Sequence, residues 1–330
     1  MKIFFTSLFF ITACSISNSQ ELFPHAEPAS NMPKGVIGLR FMGEYFWEIK
    51  QPRNMDALRI MYGITPRLTG MITASISNHH NRTLPSNLVT HTHNGNQTIF
   101  YTAPTVYGIK YDYTFGGFNF YAKYRFLSFD GDGRHLRMAL FGEYSTIKTA
   151  HDEAEPDLME DNGGYGAGLI TTWLHNKLAV SLTTGFIIPK KYSENTSSSG
   201  SVFTVKTDLI YGRAINYSLS IGYLLFPKIY NNYSETNYTI YTELMGKYYE
   251  SAQLFQNDVR VDITNPALKE NFYLEAHPGI QKIITSNTRI DFSIGIPLIN
   301  KSYVHFSPLY NIGIQRYFYI NNARKEKSKV

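Results

Sequence analysis

Hydrophobic and polar positions alternate with period two along most of the chain. Leu178, Val180, Leu182, Thr184 and Phe186 fall on one side, and Ala179, Ser181, Thr183 and Gly185 on the other. Tyr217, Leu219, Ile221, Tyr223 and Leu225 oppose Ser218, Ser220 and Gly222. Ile290, Phe292, Ile294 and Ile296 oppose Arg289, Asp291, Ser293 and Gly295. Near the start, Ile37, Leu39, Phe41, Tyr45 and Trp47 face away from Gly38, Arg40, Met42 and Glu44. Period two is the repeat of a β-strand, whose side chains leave alternate faces. The pattern predicts about twelve to fourteen strands.

The connections come in two kinds. Short turns fall at 65–67, 130–133, 175–177, 212–216 and 285–288, and long polar stretches at about 78–102, 148–163, 191–202 and 251–268. Short turns on one rim and long loops on the other are the plan of a bacterial transmembrane barrel. The expectation is therefore an all-β protein, a transmembrane antiparallel β-barrel with short turns on the periplasmic rim and long loops outside. Around 228–268 the alternation is out by one strand. A soluble sandwich is the alternative, but it would bury its apolar faces and leave its charges outside. Here one face is heavy in Tyr and Phe, and the other holds Gly, Ser, Thr and charges of both signs, as lipid outside and a polar lumen inside require.

Composition agrees with that plan. The 330 residues are 43% hydrophobic with a mean hydropathy of only −0.23, because every second strand residue is polar. Charged residues make up 17%, against about 25% in an ordinary soluble domain, and 25 Tyr and 22 Phe supply an interfacial girdle. A disordered chain would be charge-rich and poor in aromatics. The net charge of +5 is scattered apart from the run at 324–329, so no nucleic-acid partner is expected. Residues 1–19 read as a signal peptide, with Lys2, an apolar run and Ser17-Asn18-Ser19, implying Sec-type export. Ile11-Thr12-Ala13-Cys14 offers lipidation at Cys14 as the alternative. Once the leader is removed no cysteine remains, which excludes disulfides and thiol chemistry. The domain plan is 20–34 as a periplasmic N-terminal segment, 35–320 as an outer-membrane barrel and 321–330 as a polar basic tail. The partners expected are outer-membrane lipids, a small-molecule solute of unknown identity and the barrel assembly machinery, which would read the aromatic last strand at 310–320.

Alternation turns Arg40, Glu44, Arg125, Arg137, Glu143, Glu243, Glu275, His277, Arg289 and Asp291 toward the lumen, together with Arg59, Lys123, Asp208 and Lys247. Mixed charges there serve either as cross-strand ion pairs filling a narrow lumen or as the lining of a solute path. His79, His80, His91 and His93 share one long loop, and His151 opens the acidic run Asp152, Glu153, Glu155, Asp157, Glu160 and Asp161. Imidazoles near carboxylates could hold a divalent metal cofactor, Zn²⁺ or Cu²⁺; otherwise these are solvated loop residues. Asp130-Gly131-Asp132-Gly133 lacks the later Glu of a calcium loop and reads as a tight hairpin. No Gly-x-Ser-x-Gly elbow is present, and His277 has no evident serine partner, so no enzyme is expected.

Glu243-Leu244-Met245-Gly246-Lys247, followed by His277-Pro278-Gly279-Ile280-Gln281 and Asn287-Thr288-Arg289-Ile290-Asp291, resembles the C-terminal half of a group of Gram-negative outer-membrane barrels. That group comprises transporters of the phenol-degradation meta-pathway, distantly like the long-chain fatty-acid channel. The resemblance spans about 203–320, with His277 standing where the group carries an apolar or small residue. It implies an outer-membrane location and uptake of small hydrophobic molecules, and it transfers no catalytic residue. The function expected is a passive channel for small molecules, with a metal-binding barrel or a structural, adhesive barrel as alternatives.

Overall fold

The computed structural model describes residues 23–48, 51–78, 112–150, 153–197, 204–227, 229, 235–263, 268–300 and 308–320. Twelve strands close into one antiparallel barrel: β1 (Val36–Glu48), β2 (Gln51–Thr65), β3 (Leu68–Ser77), β4 (Thr114–Gly131), β5 (Arg134–Ser145), β6 (Gly164–His175), β7 (Leu178–Pro189), β10 (Ala214–Phe226), β11 (Asn237–Tyr249), β14 (Asn271–Ile284), β15 (Thr288–Ile299) and β16 (Leu309–Tyr319). First and last strands seal the barrel, with Arg40 opposite Gln315 and Glu44 opposite Asn311. Closure leaves no exposed edge, which is what a sheet in lipid requires.

The predicted alternation holds on both faces. Leu58, Ile60, Phe120, Leu182, Phe186, Ile290 and Ile314 are exposed on the outside. The residues between them, such as Arg59, Asn119, Ser181 and Gln315, point in. The interior of the barrel is therefore polar. Short connections, Pro66-Arg67, Asp132-Gly133, Asn176-Lys177 and 285–287, share one rim with the start of β1 and the end of β16. Gly133, Asn176, Thr285 and Ser286 take positive φ there, as tight hairpins demand.

Three expectations change. Residues 212–216 are not a turn of the short rim: Gly212 and Arg213 feed β10 at the opposite rim, and Gly212 N donates to Ala154 O at 3.1 Å. The strand out of register at 228–268 is a short hairpin, β12 (Gln253–Gln256) and β13 (Val259–Val261), standing outside the barrel. With β8 (Tyr192–Ser197) and β9 (Thr204–Ile210) it forms a four-stranded sheet, β13-β12-β9-β8, at the long-loop rim. Asp208 belongs to that sheet rather than to the lumen, and it pairs with Lys191 at 2.8 Å and Lys206 at 3.3 Å. The fold's largest apolar core lies against this sheet, where Tyr192, Leu209 and Leu254 pack with Leu158, Tyr211, Tyr249 and Leu268.

Candidate functional site

Two segments without regular structure fill the barrel from opposite ends. The first is residues 23–35, expected in the periplasm ahead of the barrel and found inside it. Pro24, Pro28 and Pro33 keep it from folding back on itself and remove backbone donors. Its remaining polar backbone atoms have no sheet to join, so side chains of the wall satisfy them. His25 N and Ala26 N donate to the Glu243 carboxylate at 2.9 and 2.7 Å, Ala29 N to Thr172 Oγ1 at 2.8 Å, and Met32 N to Thr69 Oγ1 at 3.0 Å. Arg40 donates to Pro24 O at 2.5 Å and Lys123 to Pro28 O at 2.6 Å. Phe23, Ala29 and Met32 each seat in a separate small apolar cluster of the wall, with Tyr241, Phe141 and Met61 respectively. Glu27 bonds Arg59 at 2.8 Å and Lys123 at 3.3 Å. Burial pushes the Glu27 carboxyl up, but Lys123 and Arg59 outweigh it and hold the group below its ordinary value.

The second segment, 146–163, turns in from the long-loop rim. Glu155, Glu160 and Asp161 are buried here, as residues of a surface loop would not be. Glu155 is buried against Lys247 at 3.0 Å, and Lys247 also donates to Pro156 O at 2.8 Å. Asp157 Oδ1 accepts from Met159 N and Glu160 N at 2.7 and 3.1 Å, while Asn162 N donates to Asp157 O at 2.7 Å, so the tip is a self-closed turn. Asn119 Nδ2 donates to Leu158 O at 3.2 Å and anchors it to β4. The two segments meet on Arg59, which holds Glu27 with one nitrogen and reaches Met159 Sδ at 3.2 Å with the other.

Between them lies a chamber of about 270 Å³. Residues 24–27 form its floor and 157–160 its roof, and Glu44 and Asn311 stand on one wall with Tyr121, Phe141 and Glu143 on another. Tyr121 and Phe141 stack with centroids 5.3 Å apart. Burial pushes the Glu160 carboxyl well above its ordinary value, and neighbouring Glu44, Asp157 and Asp161 push the same way.

The sequence-predicted lumen residues divide by depth. Arg40, Glu44, Glu143 and Asp291 line the chamber. Glu243 and His277 hold the floor from beneath, His277 by ring contact with His25 at 4.6 Å. Glu275 lies 3.5 Å from His277, and Arg289 braces Asp291 at 3.2 Å. Arg125 and Arg137 sit apart, at the short-turn mouth, where Arg125 donates to Pro66 O and Arg137 bonds Asp130 and Ser30. Ion-pair filling and chamber lining are thus both present, at different depths. The four loop histidines, His79, His80, His91 and His93, lie outside the described residues, as does His151. Among the described residues no group of three or more His, Cys, Asp or Glu could hold a metal ion. A serine does stand beside another histidine, the half-buried His25, whose Nε2 lies 2.9 Å from Ser293 Oγ. Glu27 and Asn311 are not picked out by the sequence as site residues, and Asp157 and Glu160, read there as possible metal ligands, line the chamber. Only Asn311 could have been found by period two, as the inward neighbour of Tyr310 and Ile312.

No protein-family model and no curated protein sequence matches the chain. Among solved structures it is similar to an outer membrane channel from Pseudomonas putida F1, with a TM-score of 0.52 and 14% identity over 90% of this chain and 100% of that one. The beta domain of the Bordetella autotransporter BrkA matches at 0.38 and 12% over 87% and 99%, and outer membrane phospholipase A from Escherichia coli at 0.34 and 11% over 90% and 94%. The likeness to the Pseudomonas channel, at 14% identity, is one of fold. By architecture the chain stands with the closed, all-β barrels of the outer membrane.

Proposed function

We propose that the protein is an outer-membrane channel for small molecules, closed at rest by its own N-terminal segment below and by the 146–163 loop above. The observation that carries this reading is the chamber. A barrel serving only as scaffold or adhesin would do best to fill its lumen with strand side chains, as narrow barrels do. This one keeps a space of about 270 Å³ between two segments that are not part of the wall. Both segments are held by hydrogen bonds and ion pairs to wall side chains, contacts that water can replace when a segment shifts. The apolar exterior and the fold shared with an outer membrane channel support the membrane location. Solute would enter between the long loops, occupy the chamber and leave past residues 23–35.

The test is conductance in planar bilayers. A cysteine pair, Ala29→Cys with Thr172→Cys in a Cys14→Ser background, spans the 2.8 Å bond between Ala29 N and Thr172 Oγ1. Oxidised protein is expected to be silent, and reduction to restore discrete steps like those of the unmodified protein. Correctly folded unmodified protein that never conducts would end the channel reading.

A further inference from the structure

We infer that the central chamber is a binding site for a small organic cation, a primary ammonium carried on an aromatic or aliphatic body. The inference rests on the channel reading in that it names the solute class of the same chamber. Charge is the first reason. Six carboxylates line the chamber, and three of them are held by cations: Glu27 by Arg59 at 2.8 Å and Lys123 at 3.3 Å, Asp291 by Arg40 at 3.7 Å and Arg289 at 3.2 Å, and Asp157 by Lys247 at 3.8 Å. Glu160 keeps its proton more readily than an ordinary glutamate. Glu143 stands outside the ion pairs formed among the described residues, with Asn119 Nδ2 at 3.2 Å as its hydrogen-bond donor. An entering cation would give Glu143 a counter-ion, which an anion cannot.

A second, independent observation is Asn311. It faces the chamber with only 6% of its surface exposed, and neither Oδ1 nor Nδ2 has a hydrogen-bond partner among the described residues. Buried side-chain amides are ordinarily satisfied, and its Oδ1 can accept from an ammonium. Third, the stacked Tyr121–Phe141 pair lies beside Glu143, since Tyr121 is the cross-strand partner of Glu143. Aromatic faces next to a carboxylate recognise an organic cation better than a hydrated metal ion. A volume of about 270 Å³ suits a solute of that size.

Calorimetric titration of the folded full-length protein in detergent with phenethylamine tests this, with 2-phenylethanol and phenylacetate as neutral and anionic counterparts of similar shape. Unheated gel migration verifies the fold of every sample. Phenethylamine is expected to bind and the other two not. Glu143→Gln, which keeps shape and removes charge, should weaken the amine by at least about tenfold, and Asn311→Leu should weaken it too. Phenylacetate binding as well as the amine, no heat from verified folded protein, or an affinity unmoved by both variants would each overturn the inference. A protein that conducts but ignores the amine sinks this inference alone. One that binds the amine and never conducts sinks the channel reading alone.

Discussion

Two glutamates of the lumen, neither on a strand, meet opposite fates. Glu27 and Glu160 are both taken out of water, which disfavours the ionised form of each. Arg59 and Lys123 close on Glu27 and reverse that cost, whereas Glu160 faces Glu44, Asp157 and Asp161, which add to it. The consequence for stability follows from linkage. A carboxyl whose folded value is raised contributes most below its unfolded value, near 4.5, and that contribution drains away as pH rises through the folded value. Glu160→Gln cannot ionise. The variant should therefore match the unmodified protein in thermal midpoint below about pH 4.5 and exceed it increasingly toward neutral pH. A midpoint difference that stays constant across that range would mean that Glu160 is not held protonated by its surroundings. None of this was legible in the sequence, because Glu160 sits in a polar run that periodicity places in solvent.

At the scale of elements, the strands were readable and the segments inside them were not. A strand declares itself because lipid on one side and a polar lumen on the other impose period two on every residue. Residues 25–32 bond to strand side chains rather than to neighbouring backbone, so no period marks them. The segment's one regularity, Phe23, Ala26, Ala29 and Met32 at every third position, has no counterpart among ordinary strands. Its docking point is a close approach rather than a motif. Gly35 N donates to Gly63 O at 2.8 Å, and a Cβ built on Gly63 would lie 2.0 Å from Pro33 O. Gly63→Ala should thus push residues 33–35 off the wall, a local cost of about 1–3 kcal/mol, as overpacking ordinarily brings. The expected readout is hydrogen exchange: the amides of Met32 and Gly35 should exchange roughly tenfold faster or more while those of β2 and β3 stay protected. Unchanged exchange at Gly35 would show that the contact at Gly63 does not hold the segment.

For the whole molecule, the same chain builds two interiors by opposite rules. The barrel hides its charges and shows its aliphatic side chains. The sheet at the long-loop rim covers an apolar core of Leu209, Leu254 and Leu268 as a water-soluble domain would. Exposure alone therefore has two meanings in one chain, and a pair of substitutions separates them. Leu182 is 53% exposed midway along β7, between Thr171 and Leu219 on the neighbouring strands. Val259 is 66% exposed at the start of β13, outside the barrel. If the barrel face meets lipid, Leu182→Arg buries a charge near the bilayer midplane and should cost about 2–4 kcal/mol. Val259→Arg meets water and should stay within about 0.5 kcal/mol of the unmodified protein. Urea unfolding from lipid vesicles measures both. Equal small effects at the two sites would mean that the aliphatic belt is not in contact with the bilayer, and the membrane reading of the alternation would fall with it.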